Sequence, residues 1–187
     1  MALQRLVIDG FGQLEHNNVA YPRDGRVEAQ CALDPTDFAD VAAENGMLLA
    51  VDNVNRVVKF ATDASLPIGI NYTSEHMYDE RKPGLKNFRL TLEDGFLPRI
   101  GFLSIADKFT TNCVCYDSSE YTDEDTLKEA LAKDKIKTTP VYGGISEVGA
   151  IKLSATKPSV GPVLLVIDGA TTMPDGQYGI KFQVLTV

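Results

Sequence analysis

The run most suggestive of chemistry is Glu75, His76, Asp79 and Glu80. One imidazole and three carboxylates so close together could ligate a divalent cation or move a proton. Arg81 and Lys82 follow directly and can neutralise the acids as surface ion pairs, and one local cluster does not make a coordination shell. The other histidine, His16, stands in an unrelated polar stretch. The cysteines are Cys31, Cys113 and Cys115. Structural zinc sites use two to four residues between paired ligands and a second ligand pair, and Cys113-Val114-Cys115 offers neither. Buried reduced thiols are the expectation, with assembly in a reducing compartment. On a strand, Cys113 and Cys115 share one face.

Other motifs stop short of a site. Gly10-Phe11-Gly12 is a fragment of a dinucleotide fingerprint, but the position due for the third glycine is Glu15 and no helical pattern follows. Asp123, Glu124 and Asp125 lack the sixth-position glycine and twelfth-position glutamate of a calcium loop, and a helix N-terminus accounts for them. No Gly-x-Ser-x-Gly elbow is present. A carbohydrate hydrolase built on paired Asp or Glu needs no local motif and stays as a weaker alternative, although the absence of Trp disfavours a sugar-stacking cleft. The residues therefore assign no catalytic group, no cofactor and no metal.

Composition narrows the class. The chain has 187 residues, enough to bury a sizeable core, and 44% are hydrophobic, which argues against global disorder. A formal net charge of -8 argues against general nucleic-acid binding, which needs clustered Lys and Arg. No apolar run approaches the ~20 residues that span a bilayer, so no membrane partner is expected. The opening MALQRLVIDGFGQLE lacks a basic region followed by an unbroken apolar stretch, so no secretory signal is expected.

The elements that must position these residues read mainly as strands. Leu3–Ile8 is a short apolar strand ending at Asp9-Gly10. Met47–Val51 and Arg56–Phe60 flank Asp52-Asn53-Val54-Asn55 as a hairpin. Pro67–Tyr72, the alternating Phe88, Leu90 and Leu92, Pro98–Ala106, Thr110–Tyr116, Ala150–Ser154, Val163–Ile167 and Tyr178–Leu185 read as further strands, the last with Tyr178, Ile180, Phe182 and Val184 on one face. Two helices are expected. One starts at Asp34-Pro35 and runs two to three turns toward Asn45-Gly46. The other is capped by Thr122, with Leu127 and Leu131 as its apolar stripe and Lys133, Lys135 and Lys137 near its end. Thr138–Gly149, with Gly143-Gly144, reads as a turn-rich linker and a candidate sub-boundary within one domain. The fold class is thus mainly β, sandwich or barrel-like, with one or two short surface helices.

Two stretches carry a family resemblance. Glu44-Asn45-Gly46-Met47-Leu48-Leu49-Ala50-Val51-Asp52, followed by Gly69-Ile70-Asn71-Tyr72-Thr73-Ser74-Glu75-His76-Met77-Tyr78-Asp79, resembles structural proteins encoded in the virion gene clusters of tailed bacteriophages. Thr172–Val184, TMPDGQYGIKFQV, is similar to the ending of the same group. The resemblance implies a non-enzymatic virion component, most like an auxiliary head protein that decorates or cements the capsid, with a tail tube or baseplate component as the alternative. It also implies the major capsid protein as partner, homo-oligomers on the capsid, and assembly into virions in the host cytoplasm. On that expectation, an N-terminal arm of about residues 1–12 would add a strand to a neighbour through Leu3, Leu6 and Ile8. Phe11, Tyr21, Tyr72 and Tyr78, beside turns, would be the apolar anchors.

Overall fold

A computed structural model describes residues 3–76, 79–86 and 88–187 of the chain. The fold is mainly β. In chain order, β1 is Leu3–Arg5, β2 Leu14–Asn18, β3 Val27–Glu28, β4 Ala32–Leu33, β5 Ala43–Glu44, β6 Leu48–Asp52, β7 Val57–Phe60 and β8 Ile68–Asn71. Then come β9 Arg89–Leu90, β10 Ile100–Gly101, β11 Lys108–Thr111, β12 Val114–Asp117, β13 Tyr142–Gly144, β14 Ile151–Ser154, β15 Val163–Thr172 and β16 Tyr178–Thr186. The helices are α1 Tyr21–Asp24, α2 Thr73–His76, α3 Pro83–Lys86, α4 Glu124–Ala130 and α5 Lys133–Ile136, all four-residue single turns except α4.

The strands form an eight-stranded sheet ordered β1-β12-β14-β13-β15-β16-β11-β2, a six-stranded sheet ordered β3-β10-β8-β6-β7-β4, and the small pair β5-β9. The large sheet ends on two unpaired edges, β1 and β2, so it is not a closed barrel. Its β12–β14 pairing is parallel, and the connection between those strands carries α4 and α5. Parallel neighbours need such a crossover.

Two hydrophobic cores result, and the large sheet faces both. Val114 and Tyr116 of β12 point into the first core with Phe109, Ile151, Leu164, Ile180, Phe182 and Val184. Cys113 and Cys115 point into the second with Met47, Leu49, Val51, Val58 and Ile100. The period-2 alternation of the strand separates these sets, as expected for the two thiols.

Where local chemistry suffices, the elements lie where the sequence puts them. The β6–β7 hairpin pairs Leu49 with Phe60 and Asp52 with Val57. Its loop is closed by Asp52, whose Oδ1 accepts the N–H of Val54 (3.1 Å) and Asn55 (2.9 Å), with Arg56 at φ 57°. The helix at 124 is capped by Asp123, not Thr122: Asp123 Oδ1 accepts the Thr126 N–H at 2.8 Å. Leu127 and Leu131 are fully buried in the first core.

Four expectations are corrected. The helix from Asp34 toward Asn45 is a single closed turn (Phe38 N–H to Asp34 O, 3.0 Å). Asp37 then accepts the Phe60 N–H at 2.7 Å and Phe38 packs tilted against Phe60 at 4.9 Å between centroids, which ties the turn to β7 and ends it. Of the 88–92 strand only Arg89–Leu90 pairs, because Phe88 sits at φ 54° and Leu92 opens a 3-10 turn. Pro98–Ala106 shrinks to Ile100–Gly101. The 138–149 segment, read as a turn-rich linker, holds β13, an interior strand between β14 and β15. Gly143 is required there, since a Cβ would fall 2.7 Å from Ile151 Cγ2 and 3.1 Å from Phe182 Cε1.

Candidate functional site

The N-terminal segment, expected as an arm that adds a strand to a neighbour, pairs within a single copy with the chain's own sheet. Leu3 pairs with Asp117 and Arg5 with Cys115, and the Leu6 N–H donates to Val114 O at 3.1 Å. Leu6 is 2% exposed in the first core, Ile8 packs half-buried beside it, and Leu3 packs half-buried against the second core. Within a single copy, Leu6 is thus covered by the chain's own fold. Tyr21 (0% exposed) and Tyr72 (6%) are likewise buried in the chain's own fold. Phe11 is half-buried and stacks on Phe88 at 4.5 Å. Tyr78 lies outside the described residues. Among the described residues, the most exposed large apolar side chains besides Val187 are instead Val54, Val7 and Ile105, which no sequence pattern marked.

Tertiary structure gathers what the sequence keeps apart. The histidines, 60 positions from each other, both stand edge-on to Tyr72, His16 at 5.5 Å and His76 at 6.4 Å between ring centroids. Tyr21 completes the group, 5.2 Å from Tyr72, with its hydroxyl 2.7 Å from His16 Nε2. When that nitrogen is unprotonated, Tyr21 donates to it. Burial of the ring lowers the His16 pKa. No local signal could have placed the histidines together.

The 75–80 run does not converge on a site among the described residues. Asp79 faces its neighbour Arg81 in a bidentate fork, both contacts at 3.0 Å. That hydrogen bonding holds its pKa below the usual carboxylate range. No group of three or more His, Cys, Asp or Glu suited to a metal occurs among the described residues. Burial pushes Cys113 up to about 12 and Cys115 up to about 11, so both thiols stay protonated near neutrality and are poor nucleophiles.

The carboxylates share a different habit: they accept N–H groups of the chain itself. Besides Asp34, Asp37, Asp52 and Asp123, Asp107 accepts Ala20 and Ser104 (3.1 and 2.8 Å), Asp117 accepts Ser119 (2.9 Å) and Asp175 accepts Gln177 (3.0 Å). Asp117, Asp52 and Glu44 are the most enclosed of the salt-bridged acids among the described residues, and Glu44 makes the widest contacts. Its Oε2 accepts the Gly12 N–H at 3.0 Å and meets Arg5 at 3.1 Å, while Oε1 lies 3.6 Å from Arg89 Nε. Asp52, Asp117 and Asp123 have pKa values lowered first by backbone hydrogen bonds of their own turns. Every carboxylate with a resolved shift moves down, the reverse of what a general acid requires.

These shifts set an acid profile. His16 has a folded pKa below its unfolded value, so the unfolded chain binds the extra proton, and stability is lost as pH falls through about 6.5 and below. The residue keeps an exposed edge, so water screens part of the effect. The lowered aspartates contribute stability above about pH 4 that is lost as pH falls further. Urea midpoints from pH 8 to 3 are expected to show a shallow decline below about 6.5 and a steep one below about 4. His16→Asn is expected to abolish the first step only; an unchanged first step would assign it elsewhere.

A shallow groove crosses the outer side of β14. Its two lobes, about 450 and 380 Å³, share Thr62, Ile145 and Lys152. Lys152 lies 3.5 Å from Asp117 on its floor, and Leu3 borders one end. The groove holds charges of both signs, with Asp63 and Lys157 in one lobe and Glu147 in the other. No family model, curated protein or solved structure matches this chain.

Proposed function

We propose that this protein is a non-enzymatic virion structural protein of a tailed bacteriophage that binds the capsid surface and stabilises the head. The observation that carries the reading is the habit of the carboxylates. They fasten turns, cap α4 and tie the N-terminal segment to the body, so that ionisable groups serve rigidity rather than proton transfer. The stretches bearing the phage resemblance fall on scaffold: residues 44–52 and 69–76 supply the neighbouring β6 and β8, paired Leu48 to Ile70 and Ala50 to Ile68, and residues 172–184 supply the β15–β16 turn and β16. A protein that reinforces a shell works through many copies of a rigid surface, where weak contacts add by avidity.

The test mixes purified protein with capsids lacking an auxiliary protein and follows sedimentation and the temperature of genome release. Saturable co-sedimentation with a raised release temperature is the expected result. Rings or tubes formed by the protein alone, with no capsid binding, would move it to the tail tube or baseplate. Neither binding nor assembly would sink the virion reading and return attention to a carboxylate-dependent hydrolase.

A further inference from the structure

We propose that residues 3–9 exchange between two copies of this chain, each copy laying its β1 on the β12 edge of the other. The first observation is a register jump. From Leu6, which bonds Val114, to Leu14, which pairs with Thr111, the N-terminal ribbon advances eight residues while its partner advances three. Five residues are therefore left out of the pairing as an excursion. Straightened, they lengthen the segment by about 17 Å.

The second observation is how that excursion is held. Among the described residues, positions 7–12 make no backbone–backbone hydrogen bond. Side chains of remote elements hold them: the Val7 N–H donates to Glu124 Oε2 (2.9 Å), the Asp9 N–H to Gln177 Oε1 (2.9 Å), and the Gly12 N–H to Glu44 Oε2 (3.0 Å). Val7 is 79% exposed, and Gly10, at φ 104°, has open space where a Cβ would stand, although its O accepts Arg89 Nη2 at 2.6 Å. The excursion can open without breaking any strand ladder except the three residues of β1, an outer strand.

The third observation names the occupant. The site that β1 leaves is shaped for Leu6 in the first core and for Leu3 and Ile8 at its margins. The same segment of a second copy restores each of these contacts, and only the excursion changes shape. Exchange of an identical element gives a closed twofold dimer at little cost in contacts. The inference goes beyond the capsid reading and holds or fails without it.

The test places cysteines at Leu3 and Asp117, cross-strand neighbours whose spacing suits a disulfide. The Leu3→Cys/Asp117→Cys protein is unfolded in urea, refolded at a series of concentrations and oxidised. Non-reducing gels with peptide mapping then show whether the 3–117 link lies within or between chains. While the dimer is minor, its share is expected to rise about tenfold for each tenfold rise in concentration. A second variant lacks residues 7–11, which joins Leu6 directly to Gly12 and removes the reach. It is expected to sediment as a monomer at concentrations where the parent chain dimerises. Links found only within chains at every concentration, or a deletion variant that dimerises like its parent, would overturn the exchange.

Discussion

Phe182→Ala is expected to lower the unfolding free energy by about 3–5 kcal/mol, read as a fall in urea midpoint at unchanged slope. For a chain of this size that corresponds to about 6–20 °C in melting temperature. Phe182 is fully buried and its ring centroid is 5.6 Å from that of Phe109, its cross-strand partner on β11. Gly143 on β13 leaves the room that the ring fills. Alanine removes the ring from the centre of the first core, where strands on both sides are held by their own ladders and cannot close the gap. Loss of transfer energy and a residual cavity then add. Phe182→Leu keeps most of the volume and is expected to cost about 1–1.5 kcal/mol. A loss below about 1 kcal/mol for the alanine variant would mean that the large sheet does not enclose a packed core.

Gly46→Ala is the second large effect, expected at about 2–5 kcal/mol from left-handed strain plus overpacking. Gly46 sits at φ 88°, and a Cβ there would fall 2.2 Å from Thr111 Oγ1 and 3.0 Å from Cys113 Cβ. Thr111 cannot yield freely. Its hydroxyl donates to Gln13 O at 2.5 Å and accepts the Cys113 N–H at 3.0 Å, so it fixes the break between β11 and β12 and the start of β2. Gly176 separates the two causes. It has the same φ of 88° but nothing within 4 Å of its Cβ position, so Gly176→Ala is expected to cost about 1–2 kcal/mol, from backbone strain alone. Equal losses at the two positions would show that the 44–46 turn does not press on the strand break.

Both predictions concern glycine and aromatic positions whose weight is invisible locally. In the sequence, Gly46 reads as a helix stop and Gly143 as part of a linker. The helix never forms, because Asp37 and Phe38 are claimed by Phe60 on β7, and the linker is an interior strand because β14 and β15 need a neighbour on each side. Propensity could propose a helix after Asp34; contacts with residues more than 20 positions away overrode it. The burial of the candidate anchors was invisible in the same manner. Tyr21 and Tyr72 lie beside turns, but the turns face inward, and their rings meet across 51 residues of chain with His16 beside them.

What the sequence determined by itself is therefore whatever short-range chemistry can impose. The mainly β class follows from repeated period-2 runs. The β6–β7 hairpin follows from a loop that Asp52 closes with its own carboxylate, and α4 from acids at its first turn and leucines at i and i+4. The paired facing of Cys113 and Cys115 follows from strand geometry alone. Tertiary structure decided which strand is an edge and which is interior, where the N-terminal segment lies, which aromatics are core, and that the two histidines meet at one tyrosine. Alternation along a strand says which residues share a face. Whether that face is covered depends on surfaces supplied from far along the chain, and burial exists only once they have come together.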